Sequence, residues 1–220
     1  DVCSSDLARA DLFRYLCVFK LGGLYLDIKS CTSRPLDDWL RPDDRFILAQ
    51  WRNDDGGWFD GFGLHPELKQ VPRGEFQQWF VLASAGHPFL REVVARVLRA
   101  IDGTSWWPPR YGRHGVLVTT GPVAYTLAIW PVLARWPHRQ VETESAVGLH
   151  YSGLPQGVSH IGMNGKHYAE RTESVVGLSG WAAQAFGPAQ AVHAWWARQM
   201  RVWRRYEQGL KRRILRLVRR

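Results

Sequence analysis

The sequence predicts an α/β layer fold, because short segments with strand-like alternation are interleaved with amphipathic helical segments. Three observations carry this prediction. Apolar residues recur at spacings of three and four over 7–21, alternate over 24–28, and return to helical spacing over 89–101. Paired glycines and a Gly-His-Pro turn separate these segments, as helix and strand boundaries require. With 220 residues, of which 45% are hydrophobic, the chain can bury one core.

The first half is predicted to run helix, strand, loop, strand and helix. The helix over 7–21 stops at two glycines, and the strand over 24–28 follows. A glycine- and acid-rich segment over 53–63 predicts a loop or hairpin, 77–83 a further strand, and 89–101 the second helix. Alternation in the first strand places Leu24, Leu26 and Ile28 on a core face, and Tyr25, Asp27 and Lys29 on a polar face.

The second half is predicted to contain a loop over 106–109, a strand over 116–119 and a helix over 122–133, which begins with proline. The uncharged stretch 115–134 is long enough to cross a bilayer, but a Thr-Gly-Pro turn interrupts it, which favours buried elements. A long amphipathic helix is predicted over 188–220. We therefore divide the chain into a domain over 1–187 and this helix.

The start of the chain predicts an incomplete front. The sequence does not begin with Met, and its first residues run into what reads as the middle of a helix. We therefore expect the domain to be N-terminally truncated. The three cysteines, Cys3, Cys17 and Cys31, form no CxxC pair, so neither a disulfide scaffold nor a zinc module is expected.

The positive charge is concentrated at the C-terminus. Residues 198–220 hold ten Lys and Arg and one acid, whereas residues 1–197 hold nineteen of each sign. This basic segment suits either nucleic acid or an anionic membrane surface. Because the predicted helix also carries an apolar stripe, which a phosphate groove does not require, the pattern favours the membrane surface.

The segment ARADLFRYLCVFKLGGLYLDIKS at 8–30 carries the residues suited to chemistry. Asp11 and Arg14 lie three positions apart, so a helix projects both toward one ligand. Beyond the glycines, Asp27 and Lys29 add a carboxylate and an ammonium on one strand face. Carboxylates suit ribose hydroxyls or a divalent cation, and basic groups suit phosphate oxygens. The pattern indicates a nucleoside-diphosphate site; an isolated Asp-Arg pair would instead indicate a surface ion pair.

This segment resembles the donor-site motif of the DXD-motif sugar transferases. That family includes fungal initiating mannosyltransferases, inositol-phosphoceramide mannosyltransferases and bacterial capsule or lipopolysaccharide glycosyltransferases; glucosylating clostridial toxins are a more distant likeness. Lys29 stands where the second Asp of DxD is expected. A looser likeness, through Gln78 and the Gly-His-Pro and Thr-Gly-Pro turns, extends to about residue 135. The close likeness rests on Asp11, Arg14, Gly22, Gly23, Tyr25 and Asp27.

The resemblance implies a GT-A fold that transfers a hexose from a nucleoside-diphosphate sugar. It implies an acceptor that is a glycan or glycolipid, retention of anomeric configuration, and a role in surface polysaccharide or glycolipid synthesis. We expect a cytoplasmic enzyme attached to the inner face of a bacterial membrane. The implied donor-binding residues are Asp11, Arg14, Gly22, Gly23, Tyr25 and Gln78, and the implied catalytic residues are Asp27 and Lys29.

The family also implies Mn²⁺ or Mg²⁺, and Lys29 bears directly on this. An ammonium cannot ligate a cation, so metal binding would rest on Asp27 with a later ligand such as His150 or His160, or Lys29 would replace part of the metal's charge. We therefore expect a weakened but retained metal dependence.

Two other functions fit parts of the sequence. An inactive relative that binds a nucleotide sugar or scaffolds an assembly fits the loss of an acid at Lys29, and a nucleic-acid-binding module fits the basic helix. Gly61-Phe62-Gly63 lacks the strand, third glycine and helix of a dinucleotide fingerprint, so it is assigned no site. The tryptophans considered for an acceptor site are Trp51, Trp58, Trp106 and Trp107.

Overall fold

The computed structural model describes residues 6–54, 56, 59–103, 112–153, 175, 184, 185, 187–189, 191, 192 and 195. It contains both helices and sheets, which is consistent with the α/β prediction. The elements are α1 (Asp6–Leu21), β1 (Gly23–Leu26), β2 (Cys31–Thr32), β3 (Phe46–Leu48), β4 (Phe80–Ala83), α2 (Pro88–Asp102), α3 (Gly112–Thr119), α4 (Pro122–Ile129), β5 (Arg139–Gln140) and β6 (Leu149–His150). Short 3-10 helices occupy Leu36–Asp38, Pro66–Leu68, Trp130–Arg135 and Glu144–Val147.

The main sheet has the strand order β1-β4-β3-β5. Strand β4 is antiparallel to both β1 and β3, and β3 is parallel to β5. Gly23 pairs with Ala83 at one end of β1, and Leu26 pairs with Phe80 at the other. Strands β2 and β6 form a separate antiparallel pair.

Both faces of the main sheet are covered, and the alternation of each strand divides its side chains between two cores. Val81 and Ala83 of β4 belong to a core shared with α1, α2 and α4. Phe80 and Leu82 belong to the second core, on the other face. Tyr25 of β1 packs against the helix-side core, while its neighbours in β1 pack against the second. The alternation therefore sorts side chains between two apolar layers.

The turn between α1 and β1 confirms the predicted helix stop. Gly22 has φ +70° and donates its N–H to Val18 O over 2.8 Å, which closes the last turn of α1. A Cβ at Gly22 would lie 2.8 Å from Ala85 N, so glycine is needed there on two grounds. The turn returns the chain along α1 and brings the end of β1 beside the helix.

Strand β1 is shorter than predicted, and the placement of Ile28 in the core was wrong. The strand ends at Leu26, and a turn closed by Ser30 N–H to Asp27 O over 2.8 Å follows. Ile28 lies within this turn and is 97% exposed. Asp27 N–H still reaches Trp79 O over 2.8 Å. Because the strand ends at Leu26, the alternation of apolar and polar side chains stops there and does not reach Ile28.

The predicted strand over 116–119 is wrong, because these residues belong to helix α3. The sequence there is rich in branched residues, which favours a strand locally. Helical spacing instead buries Gly112, Gly115 and Thr119 on one side of α3. Leu117 packs against the separate small core that contains Leu68, Val71 and Val123. Contacts to several neighbours thus outweigh the local preference.

The predictions for 53–63, 77–83, 89–101 and 122–133 hold with shifted ends, and the loop predicted over 106–109 lies outside the described residues. Helix α2 confirms 89–101, and α4 covers the first part of 122–133 before a 3-10 helix continues to Arg135. Strand β4 covers only the end of 77–83. The described residues of 53–63 form bends and turns, as predicted.

The apolar stretch Gly112–Arg135 meets the length and composition of a membrane-crossing helix. Half of its most apolar window is buried within the protein, as in the core helix of a soluble protein, so this is weak evidence for a span. Most of the predicted helix over 188–220 lies outside the described residues. Of those described there, Val192 and Trp195 are 65% and 61% exposed.

Candidate active site

A cavity of about 490 Å³ lies between α1, the turn after β1, the loop over 60–65 and the α3–α4 turn. Its volume is ordinary for a ligand site. Five of the predicted site residues line it, namely Asp11, Arg14, Asp27, Lys29 and Gln78. Four others do not line it, namely Gly22, Gly23, Tyr25 and His150.

Arg14 is the centre of the site. Its Nη1 lies 3.1 Å from Asp27 Oδ1 and donates to Gln78 O over 3.0 Å, while its Nη2 lies 3.3 Å from Asp11 Oδ1. Burial lowers the pKa of Arg14, but the two carboxylates outweigh burial and raise it above its ordinary value. One guanidinium thus joins α1, the end of β1 and the approach to β4.

Asp11 is buried and holds Arg14 in place. Gln78 Nε2 donates to its Oδ1 over 2.9 Å, and Thr120 Oγ1 donates to its Oδ2 over 2.8 Å. Burial raises the pKa of Asp11, partly offset by Arg14 and by these hydrogen bonds. The prediction that the Asp-Arg pair shares one side of a helix is confirmed, and Asp11 mainly contacts protein groups.

Gln78 and Tyr15 complete this network. The Gln78 amide donates to Tyr15 Oη over 2.7 Å, and Tyr15 Oη donates to Thr120 O over 2.8 Å. Burial raises the pKa of Tyr15 well above its ordinary value, so the hydroxyl keeps its proton. Sequence reasoning missed Tyr15, because an aromatic residue inside an amphipathic helix reads as core, and it treated Thr120 only as part of a turn.

Tyr25 lies behind Arg14. Its ring centroid is 4.8 Å from Arg14 Cζ, a cation–π contact, and its hydroxyl donates to Asp27 Oδ1 over 3.3 Å. Burial raises the pKa of Tyr25. The predicted contact of Tyr25 with a nucleotide stays a prediction, and what the ring does here is support Arg14 and Asp27.

Lys29 lines the cavity from the turn after β1. Its Nζ lies 3.7 Å from the ring centroid of Tyr151, and Ser30 Oγ donates to Tyr151 O over 3.0 Å. Burial lowers the pKa of Lys29, and the nearby Arg14 adds to this while Asp27 opposes it. The sequence predicted that Asp27 and Lys29 share one face of a strand. The strand instead ends at Leu26, and both residues line the cavity from the turn that follows it.

Comparison with known proteins identifies this part of the chain. The family described as "Glycosyltransferase sugar-binding region containing DXD motif" matches residues 3–46, which contain Asp11, Arg14, Asp27 and Lys29. Residues 3–46 are therefore similar to the sugar-binding region of the DXD-motif glycosyltransferases. The predicted resemblance is thereby confirmed.

Curated glycosyltransferases of fungi are similar to this chain. The initiation-specific alpha-1,6-mannosyltransferase of Candida albicans is 30% identical over 101 residues, which are 44% of this chain and 26% of the relative. The putative glycosyltransferase HOC1 of Saccharomyces cerevisiae is 30% identical over 98 residues, 43% of this chain and 23% of the relative. The initiation-specific alpha-1,6-mannosyltransferase of Schizosaccharomyces pombe is 28% identical over 152 residues, 64% of this chain and 35% of the relative. The chain therefore spans about a quarter to a third of these relatives, and no solved structure matches it significantly.

DXD-motif glycosyltransferases generally use a divalent metal, which would need oxygen or nitrogen ligands at this cavity. Asp27 offers a partly exposed carboxylate in the cavity. His150 pairs instead with Ser33, its Nε2 lying 2.9 Å from Ser33 Oγ, and His160 lies outside the described residues. Over the described part of the chain, no three His, Cys, Asp or Glu residues are grouped as metal ligands. One carboxylate combined with donor phosphates still fits Mg²⁺, which commonly binds through one or two carboxylates and substrate phosphates.

The cavity has a second wall that sequence reasoning did not assign. The loop over 60–65, with Gly61-Phe62-Gly63 at its centre, and Glu75 both line it. Trp51 also lines it but is only 5% exposed, so it offers little surface for stacking. Trp58, Trp106 and Trp107 lie outside the described residues. No periodic pattern marks Glu75, because it follows a tight turn.

Proposed function

We propose that this chain is the donor-binding part of a hexosyltransferase that moves a sugar from a nucleoside diphosphate to a hydroxyl of a glycan or glycolipid. One observation carries the proposal: Arg14 and Lys29, beside the Asp27 carboxylate, line one cavity in the region that matches the DXD motif. The relatives named mannosyltransferases support mannose as the first sugar to test.

The chemistry follows from the charges of Arg14, Asp27 and Lys29 along the cavity. During transfer, the bond between the sugar C1 and the diphosphate oxygen breaks, and its electron pair stays on the diphosphate. The acceptor hydroxyl oxygen bonds to C1, and its proton passes to the departing diphosphate. Arg14 and Lys29 stabilise the negative charge that develops there, which lowers the barrier more than a neutral wall would. Asp27 accepts a hydrogen bond from the sugar or holds a cation.

A divalent cation fits this proposal at Asp27, where donor phosphates would complete its ligands. When bound, Mn²⁺ or Mg²⁺ neutralises part of the diphosphate charge. Because Lys29 supplies positive charge without ligating the metal, we propose that metal dependence is retained but weaker than with a second acid. Activity unchanged after complete chelation would contradict this.

The experiment is a thermal-shift panel of UDP- and GDP-sugars, each with and without Mn²⁺, on the unsubstituted chain and on Asp27→Asn. We expect at least one donor to raise the Tm, and the rise to shrink strongly in Asp27→Asn. Asp37→Asn, an exposed acid away from the cavity, is the matched control and should keep the full rise. If no donor stabilises the unsubstituted chain, the inactive scaffold becomes the better account.

The GT-A architecture, the division into 1–187 and 188–220, and the attachment to the inner face of a membrane belong to this proposal. The basic composition of 198–220 supports attachment to an anionic surface. Co-sedimentation with anionic liposomes should fall sharply for a chain that ends at Gly187, and equal binding by both chains would contradict the proposal. Salt-sensitive duplex binding by the shorter chain would instead favour the nucleic-acid alternative.

A further inference from the structure

The cavity wall formed by the loop over 60–65 and by Glu75 has no part in the donor chemistry proposed above. It faces the same cavity as Arg14 and Lys29. The two walls are linked through aromatic rings, because Tyr151 contacts Lys29 at 3.7 Å and packs on Trp51 with centroids 5.1 Å apart. A group bound at this second wall therefore lies in the cavity that would hold the donor.

The carboxylate of Glu75 is fixed by two protein groups and can still accept a hydrogen bond from a ligand. Its Oε1 accepts from Trp51 Nε1 over 2.8 Å, and its Oε2 lies 2.9 Å from His65 Nε2. The residue is 7% exposed. A carboxylate has about four lone-pair sites, so two contacts leave capacity for a ligand hydroxyl.

The backbone around Glu75 fixes the position of this side chain against the loop over 60–65. Gly63 has φ +71°, and a Cβ there would lie 2.6 Å from Glu75 Cγ and 2.7 Å from Trp51 Cδ1. Glu75 N–H donates to Gly63 O over 3.0 Å. Asn53 Nδ2 donates to Phe62 O over 2.6 Å and to Arg73 O over 3.0 Å, so one buried amide joins the loop to the turn before Glu75. The wall is pre-organised, which reduces the entropy lost when a ligand binds.

The chemistry of this wall suits an uncharged sugar. Phe62 is 43% exposed beside the cavity, and its ring is braced edge to face against Trp51 at a centroid distance of 5.5 Å. A pyranose has a face of C–H groups for such a ring and hydroxyls for a carboxylate. The acids Asp60 and Glu75 both line this wall, so like charge disfavours the diphosphate there.

We propose that this wall is the acceptor subsite, which binds a hexopyranose with its C–H face on Phe62 and a hydroxyl donating to Glu75. The inference rests on the proposed transferase function, and it assigns to the acceptor a part of the cavity that the donor does not use. His65 and Trp51 are positioning residues, since they hold Glu75.

The test compares Glu75→Gln and Phe62→Ala with matched substitutions outside the cavity. Glu92→Gln in α2 controls for the loss of a carboxylate, and Phe13→Ala, on the exposed face of α1, controls for the loss of an exposed ring. The donor is the nucleotide sugar that stabilises the unsubstituted chain. The acceptor probes are methyl α-D-mannopyranoside, methyl α-D-glucopyranoside and methyl β-D-galactopyranoside. Initial rates of transfer and of donor hydrolysis are measured separately.

We expect Glu75→Gln to raise the acceptor KM about tenfold or more, because the ligand hydroxyl loses a charged hydrogen-bond acceptor. Phe62→Ala should raise the same KM severalfold. Neither substitution should change the donor KM or the hydrolysis rate by more than about twofold, and both controls should match the unsubstituted chain. A structural role alone would change the donor and acceptor constants together.

The outcomes separate the two proposals. An unchanged acceptor KM in both variants, or equal losses toward donor and acceptor, overturns the acceptor subsite while leaving the transferase proposal intact. Failure of all three glycosides to accept sugar from a bound donor overturns the choice of a hexopyranose. Failure of every donor to bind the unsubstituted chain overturns the proposed function, and this inference with it.

Discussion

Arg14 is buried at 6% exposure, yet its guanidinium has two carboxylates and a backbone carbonyl as partners drawn from three segments of the chain. Such a charge is tolerated in a core only because its partners are fixed before a ligand arrives. The network around Asp11 and Gln78 provides that fixation. At the residue scale, the site is therefore an ion cluster fixed by protein groups, from which Arg14, Asp27 and Lys29 line the cavity.

The first prediction tests this fixation. Asp11→Ala removes the acceptor for Arg14, Gln78 and Thr120, so we expect the free energy of unfolding to fall by roughly 3 to 5 kcal/mol, as when a buried pair loses one partner. Urea unfolding measures it, with exposed Asp37→Ala as the control, which should stay within about 0.5 kcal/mol. A small loss for Asp11→Ala would mean that Arg14 is solvated in solution.

The second prediction concerns Lys29. Burial lowers its pKa, so the ammonium loses its proton at a lower pH than an ordinary lysine does. Its attraction for a diphosphate is present below that pKa and is lost as the pH rises through it. Donor affinity measured from about pH 7 to pH 10 should therefore decline before the ordinary lysine value near 10.4. Lys29→Arg, which stays charged, should flatten the decline, and an equal decline in both proteins would contradict the assignment.

At the scale of elements, the turn after α1 decides where the site residues lie. Gly22 and Gly23 both have positive φ, but a Cβ at Gly22 meets Ala85 N at 2.8 Å, whereas nothing lies within 4 Å of one at Gly23. The backbone of β4 and its following turn thus passes directly beside the end of α1. The glycines shape the site without lining it.

The third prediction follows from this difference. Gly23→Ala should destabilise the fold by about 1 to 2 kcal/mol through its left-handed backbone alone. Gly22→Ala adds a backbone clash, so we expect a clearly larger loss. Chemical denaturation of the two variants measures the order, and equal losses would show that the turn relaxes around the added methyl group.

At the scale of the whole molecule, His87 connects the N-terminus of α2 to the segment before β5. Its Nδ1 accepts from Phe89 N–H over 3.2 Å, and its Nε2 lies 3.1 Å from Pro137 O. These roles require the neutral ring with the proton on Nε2. Burial lowers the pKa of His87, with nearby His138 adding to the effect and Pro137 O opposing it.

The fourth prediction is a pH dependence of stability with a defined sign. Because the folded pKa lies below the unfolded value, the unfolded state takes up the proton first as the pH falls. The contribution of His87 is therefore complete above about pH 6.5 and is lost as the pH falls below that value. The Tm should drop between about pH 7.5 and pH 5, and His87→Asn should be less stable at pH 7.5 but show a shallower drop. Exposed His114→Asn is the control and should keep the full slope.

Local sequence pattern was sufficient to predict several helices, the first turn and the family relationship of this protein. The spacing of apolar residues predicted α1 and α2, because an amphipathic helix buries one stripe wherever it packs. The glycine pair predicted the turn at Gly22, because backbone conformation there depends on few neighbours. The Asp11 and Arg14 spacing, with Asp27 beyond the turn, was enough to indicate the DXD-motif relationship.

The tertiary structure decided the rest, because it depends on contacts between residues distant in sequence. Helix α3 replaced a predicted strand since three small or polar residues pack at helical spacing. Gln78 was identified only through the family resemblance. Its partners Asp11 and Tyr15 lie more than 60 positions away, so no local pattern could indicate these contacts. The wall at Glu75 depends on Trp51 and His65 converging on one carboxylate. A sequence states which groups are available, but only chain folding brings these particular atoms to hydrogen-bonding distance around a shared cavity.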